Sequence, residues 1–309
     1  MNNYGQIPVV GGGAETGSQP LSPAPPFEPD FQHLLEFEEG PHQVVVALGG
    51  IPFLVRSNDA GVVGFFTSEY GPFQTEATPW VTLDLRRSAK FPFATDIARF
   101  LTARRGTVQH AKFRNMAATV DLKRAAARGW VTGDNLRQDL SNVLRFVVGS
   151  VTPSLGALLF HTAALAHDGR AYLFFGPSTA GKSTVVKLSE DREVMTDDML
   201  IVREDQGRVV ASTCGFWGGE TRCYPSRRAE YPIAGFFRLV KDRTNRLIPM
   251  DASRGAFEIA CNVPAVTRTS VENQAVLEVA ARAAAATPSW FLHFHNRDAS
   301  FWRCLDDLA

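Results

Sequence analysis

Eight consecutive residues, Gly176, Pro177, Ser178, Thr179, Ala180, Gly181, Lys182 and Ser183, satisfy the pattern G-x-x-x-x-G-K-[ST], and Thr184 extends the loop by one. The chemistry follows from the residue types. Glycines let backbone amides curl inward around phosphate oxygens, and a helix starting at the lysine adds unpaired N–H groups carrying partial positive charge. In such a loop Lys182 reaches the β- and γ-phosphates of a nucleotide, and the Ser183 hydroxyl ligates Mg²⁺. ATP and Mg²⁺ are therefore the expected ligands.

Fourteen residues after Lys182 comes Thr196-Asp197-Asp198-Met199, two adjacent carboxylates at the edge of an apolar run. Adjacent carboxylates repel, which is costly unless a cation lies between them or one gains a proton. Beside a nucleotide, one acid can face the metal while the other accepts a hydroxyl proton, and that second role separates a kinase from a simple ATPase. His161 stands fifteen residues before Gly176 among apolar neighbours. By itself it reads as a core histidine; its place before the loop makes it a site candidate. Arg222, Arg227 and Arg228, in the segment GGETRCYPSRRAEYP, are candidates to meet transition-state charge, whereas Arg203 is expected to point away.

The elements that must position these groups are legible around them. The run AYLFF leads into the glycine loop as a strand, and STVVKLSED follows it as a helix. Upstream, LLFHTAALAHDGRAYLFF reads as two strands joined at Asp168-Gly169, a two-residue hairpin signal, with His161 in the first strand. A helix is predicted from about Asn135, with Leu136, Leu140, Val143, Leu144 and Val147 on one apolar face. Residues 31–134 read as a small α+β domain: HQVVVAL and IPFLVRS are strands broken at Gly49-Gly50, and GVVGFFTSEYGPF and TPWVTLDLRR are also taken as strand-rich. Residues 1–30 are dense in Gly, Pro and Ser and are expected to form a disordered leader.

Bulk properties exclude several classes. Lys plus Arg and Asp plus Glu number 32 each in 309 residues, so no net field attracts nucleic acid or an anionic membrane. The apolar fraction of 45% suffices for a sizeable core. Cys214, Cys223, Cys261 and Cys304 lack the close pairs of a zinc site and read as reduced packing residues. There is no signal-peptide pattern and no uncharged apolar run near 18 residues, so a soluble, cytoplasmic protein is expected.

The order of Phe-His strand, tight hairpin, strand, glycine loop, helix and Asp-Asp resembles the C-terminal domain of HPr kinase/phosphorylase and its relatives. The loop and acid pair are similar to those of phosphoenolpyruvate carboxykinases, which are much longer chains. The likeness runs from about Leu136 to the C-terminus and includes WFLHFHNRDASFWRCL as closing strand and helix. It implies a P-loop kinase domain of the HPr kinase/PEP carboxykinase type over residues 135–309, preceded by the small α+β domain. Carried over, it implies His161, Lys182 and Asp198 at the transferred phosphoryl group, with Asp198 the proton acceptor. Asp197 and Ser183 stand beside the metal, with Glu220 matching a second metal-binding acid by rough position. The implied activity is transfer of the γ-phosphoryl group to a serine hydroxyl of a peptide or protein. The chain looks closest to HPr-kinase-related proteins associated with modification of ribosomally made peptides. The EIRGxG signature that helps contact HPr is not recognisable, so HPr itself is not the expected substrate. A family that assembles into dimers or hexamers makes a homo-oligomer an expectation. A small-molecule kinase and a non-catalytic nucleotide-binding scaffold stay open beside this reading. One departure concerns the loop itself: Thr179 replaces an inner glycine, and a positive φ there would strain a β-branched residue.

Overall fold

A computed structural model describes residues 40–87, 101–113, 115–133, 135–218, 227–264 and 268–306. It is a mixed α/β architecture with two sheets. The first contains β1 (His42–Leu48), β2 (Ile51–Ser57), β3 (Val81–Arg87), β4 (Leu101–Arg105), β5 (Val108–Phe113), β6 (Met116–Asp121) and β7 (Ala126–Val131), in the order β1-β2-β3-β7-β6-β5-β4. Both strands expected around Gly49-Gly50 form, and the two glycines take φ of 59° and 83° to turn between them.

Helix α1 (Ala60–Glu69) corrects the strand-rich reading of GVVGFFTSEYGPF. Asp59 caps the helix by accepting the Gly61 amide at 2.7 Å, and Val62 and Phe66, four residues apart, are both fully buried. Burial of one helical face thus outweighs the strand preference of the valines and phenylalanines. The crossover through α1 leaves β2 and β3 parallel.

Helix α2 (Leu136–Val151) begins where predicted, with the Asn135 side chain accepting the Gln138 amide. It packs on β6 and β7, and its C-terminal half is buried on nearly every side. Gly129 in β7 permits the approach, because a Cβ there would lie 2.9 Å from Val143. One continuous core joins the inner face of the first sheet through α2 to Leu159, Ile201, Cys214 and Phe216 of the second.

The second sheet holds β8 (Ala157–His161), β9 (Ala163–His167), β10 (Arg170–Phe175), β11 (Glu193–Thr196), β12 (Met199–Asp205), β13 (Arg208–Phe216), β14 (Glu230–Lys241), β15 (Arg246–Pro249) and β16 (Ser289–Phe294). Its order is β11-β9-β10-β14-β13-β12-β8, and β16 pairs with both β14 and β15. Strands β10, β14 and β16 run parallel, and α4 (Ala252–Cys261) and α5 (Ser270–Ala286) cover one face. The other face carries α3 (Lys182–Lys187) and the closing segment with α6 (Arg303–Asp306). Among the described residues no helix is long and apolar enough to cross a membrane.

The hairpin needs one correction. Asp168 and Gly169 form its turn with φ of 49° and 71°, but they join β9 to β10. The run containing His161 breaks at Thr162, whose hydroxyl donates to carbonyl oxygens of Ala163 or Phe174 at 2.9 Å. His161 therefore ends β8, which pairs with β12 and not with β10.

The two sheets meet at the β1–β2 turn. The Gly49 amide donates to the Thr213 carbonyl at 3.0 Å, and a Cβ on Gly49 would lie 2.4 Å from the Ile201 Cβ. Gly49→Ala is expected to lower unfolding stability by about 1–3 kcal/mol through overpacking at positive φ. Urea denaturation that matches the wild type would show the joint to be loose.

Candidate active site

Three residues of the Gly176–Thr184 loop have positive φ: Gly176 at 148°, Thr179 at 68° and Gly181 at 114°. Thr179 accordingly occupies the left-handed region expected from its position, at a typical cost of about 1–3 kcal/mol for a non-glycine residue. Gly181 also needs its missing side chain, since a Cβ would lie 2.6 Å from the Phe294 ring of β16. The Lys182 amine turns back over the loop and donates to the carbonyls of Gly176 at 2.9 Å and Pro177 at 3.3 Å. Ser183 is exposed in the first turn of α3.

The acid pair occupies the step between β11 and β12. Thr196 fixes the backbone there: its hydroxyl donates to the Phe216 carbonyl at 2.8 Å and accepts the Asp198 amide at 3.1 Å. Strand pairing sets Met199 opposite His161, and the Thr162 amide donates to the Asp198 carbonyl at 2.9 Å. These bonds bring the sequence-distant acid and histidine together.

The Asp198 carboxylate is divided between two partners. Arg145 of α2 donates to Oδ2 from Nε at 3.2 Å and from Nη2 at 2.6 Å. His161 Nδ1 lies 3.4 Å from Oδ1. Burial favours the neutral acid, yet the Arg145 guanidinium and His161 outweigh it and hold Asp198 well below the usual carboxylate range. Asp197 moves the other way: burial raises it, Asp198 raises it further, and the Gly218 amide, donating to Oδ1 at 2.7 Å, only partly opposes them. Burial lowers the Lys182 pKa while the Asp198 charge pulls it up. Lys182 and Asp198 thus lie within electrostatic reach of each other.

Other candidates fall elsewhere. Arg227 forms an ion pair with Glu193, and Arg228 is exposed. Arg203 turns away as expected, donating to the Gly49 carbonyl, Asp205 and Glu230. Glu220, Arg222 and Cys223 lie outside the described residues. Cys214 is buried, with its thiol 3.4 Å from the Met199 carbonyl, and Cys214, Cys261 and Cys304 form no disulfide among the described residues. Among the described residues no group of three His, Cys, Asp or Glu could hold a metal.

Arg145 was not singled out by sequence reasoning. The only signal is a lone cation inside the apolar run VLRFVV, flanked by Leu144 and Phe146, both essentially inaccessible to solvent. A charge so placed needs a counter-charge, but the sequence does not say which of 32 acids supplies it.

Fold and site together define a mixed α/β protein with a glycine-lysine loop set beside a charge-compensated acid pair. Residues 135–303 match the family model described as SynChlorMet cassette protein ScmC, and the chain belongs to that family. No match was found among curated proteins.

Two substitutions probe the site's energetics. Thr179→Gly is expected to raise stability by about 1 kcal/mol by removing the left-handed strain, read as a higher melting temperature. Asp198→Asn leaves Arg145 uncompensated and should cost about 3–5 kcal/mol at neutral pH. Because the folded-state pKa of Asp198 is depressed, its contribution is complete above the ordinary carboxylate value near 3.8 and is lost as pH falls through the lower folded value. The gap between wild type and variant in denaturant titrations should therefore be constant from pH 8 to 5 and shrink below pH 4.

Proposed function

We propose that the protein is a Mg²⁺- and ATP-dependent kinase that transfers the γ-phosphoryl group to a hydroxyl of a peptide or protein. The observation carrying this reading is the convergence of the Lys182 loop with an acid pair whose two members have opposite electrostatic fates. A nucleotide-hydrolysing loop needs one metal-facing acid; a second carboxylate of raised basicity suits an acceptor whose hydroxyl must lose a proton.

The residues fit the nucleotide and its ion. Positive φ at three loop positions curls the backbone as an anion nest requires, and a buried lysine with a depressed pKa is eased by a phosphate charge. Ser183 would hold Mg²⁺, with Glu220 as the second expected ligand. When bound, the ion would neutralise charge on the phosphates.

Within the chain, Lys182 would leave its loop carbonyls for phosphate oxygens. Asp198, with both oxygens engaged, is a weak base. Asp197, raised by burial although its Oδ1 accepts the Gly218 amide, is the better proton acceptor, so in this reading the roles expected from the resemblance are exchanged. The hydroxyl oxygen bonds to the γ-phosphorus, its proton passes to Asp197, and the bond to the β–γ bridging oxygen breaks to release ADP. His161 would meet the transferred group from the β8 side.

The test is transfer from labelled ATP to serine-containing peptides and, in parallel, to small hydroxyl metabolites. Peptide labelling should fall at least about 100-fold in Lys182→Ala and in Asp197→Asn. Labelling confined to metabolites would replace the acceptor class, and ATP binding without transfer to either would remove the kinase reading.

A further inference from the structure

Arg145 does more than neutralise one acid. Its Nη2 also donates to the Trp217 carbonyl at 3.3 Å, and Trp217 immediately precedes Gly218, whose amide holds Asp197 Oδ1 at 2.7 Å. One guanidinium therefore touches Asp198 directly, fixes the backbone that orients Asp197, and confines His161 to the remaining Asp198 oxygen. The acid pair, the histidine and the Trp217–Gly218 backbone come from different segments, and Arg145 is where those segments are tied.

Its surroundings are built for this. The guanidinium carbon lies 5.4 Å from the centre of the Phe216 ring, and Arg145 and Asp198 side chains are only 15% and 13% exposed. Gly215, at φ 74°, makes room for Tyr70, which would stand 2.7 Å from any Cβ there. Tyr70 is itself buried and comes from the end of α1, so the first sheet's unit helps wall the charge from water. In such surroundings the ion pair is weakly screened and geometrically stiff.

We infer that Arg145 is a positioning residue of the proposed phosphoryl transfer: by donating to Asp198 Oδ2 it leaves Oδ1 to accept the Nδ1 proton of His161, which fixes the ring and leaves Nε2 for the transferring group. The inference rests on the kinase reading for its effect on rate, but not for its effect on His161. A carboxylate at one ring nitrogen fixes the tautomer and ring orientation at the other. A guanidinium suits this position because its fixed plane donates to Asp198 Oδ2 and to the Trp217 carbonyl at once, whereas lysine supplies a single point charge.

The experiment compares wild type, Arg145→Met, Arg145→Lys and Arg145→Ala. Transfer from ATP to peptide is measured alongside binding of a fluorescent ATP analogue and ¹⁵N spectra of the histidine ring nitrogens. Arg145→Met should lose about 100-fold or more in kcat while nucleotide affinity stays within about threefold of wild type. The His161 signals should move from the Nδ1–H form to a tautomer mixture. Arg145→Lys should recover part of the loss, and millimolar guanidinium should restore activity to Arg145→Ala by filling the vacated space. The inference is overturned if Arg145→Met keeps the wild-type kcat and histidine spectrum, or if nucleotide binding collapses in step with transfer and guanidinium rescues neither. If Arg145→Met does not fold, the lysine variant and the rescued alanine variant decide. If wild-type protein transfers nothing, the kinase reading fails, and the His161 spectra alone still settle whether Arg145 sets the tautomer.

Discussion

The buried ion pair between Arg145 and Asp198 constrains everything around it. Removing two charges from water costs several kcal/mol per ion, and the attraction between them offsets this only when geometry is good and the remaining polar atoms find partners. Here the fork takes one carboxylate oxygen, His161 takes the other, and the Trp217 carbonyl takes a further guanidinium N–H. None of these groups can move alone without stranding a charge. The middle of α2, the end of β8, the start of β12 and the backbone after β13 are thereby held in one arrangement.

The loop and the acids store energy differently. In the loop the cost lies in the backbone, where Thr179 accepts a left-handed conformation that a glycine would take without strain. In the acid pair the cost is electrostatic: Arg145 and His161 drive Asp198 towards the anion against its own burial, while burial and the Asp198 charge drive Asp197 towards the neutral acid. Lys182 joins the two, since it is hydrogen-bonded to the loop and feels the Asp198 charge. A phosphate group entering between them would satisfy the amides and the ammonium together.

Much of this was legible in the sequence, for reasons specific to each element. Asp168-Gly169 marked its turn because few dipeptides tolerate two positive φ values in succession. Asn135 marked the start of α2 because its side chain can cap a free amide. The glycine loop and acid pair declared themselves by residue type. Long-range pairing was not legible. His161 ends a strand that pairs with β12 and lies outside the hairpin because Thr162 diverts the chain, and a single threonine carries no such signal. Helix α1 was concealed by residues of strand preference whose burial at Val62 and Phe66 depends on a sheet built from distant segments. Arg145 was hidden because its partner is 53 residues away.

The same helix that supplies Arg145 makes the first sheet part of the site. Helix α2 is covered on one side by β6 and β7 and on the other by β8, and Val143, Leu144, Phe146, Val147 and Val148 are all fully or almost fully buried between them. A helix apolar on nearly all sides is stable only while both covers are in place. Strands β6 and β7 thus set the depth at which α2 sits, and through it the position of the guanidinium. Tyr70, in van der Waals contact range of Gly215, closes the remaining gap. The first sheet is thus connected to the acid pair through packed side chains and one ion pair.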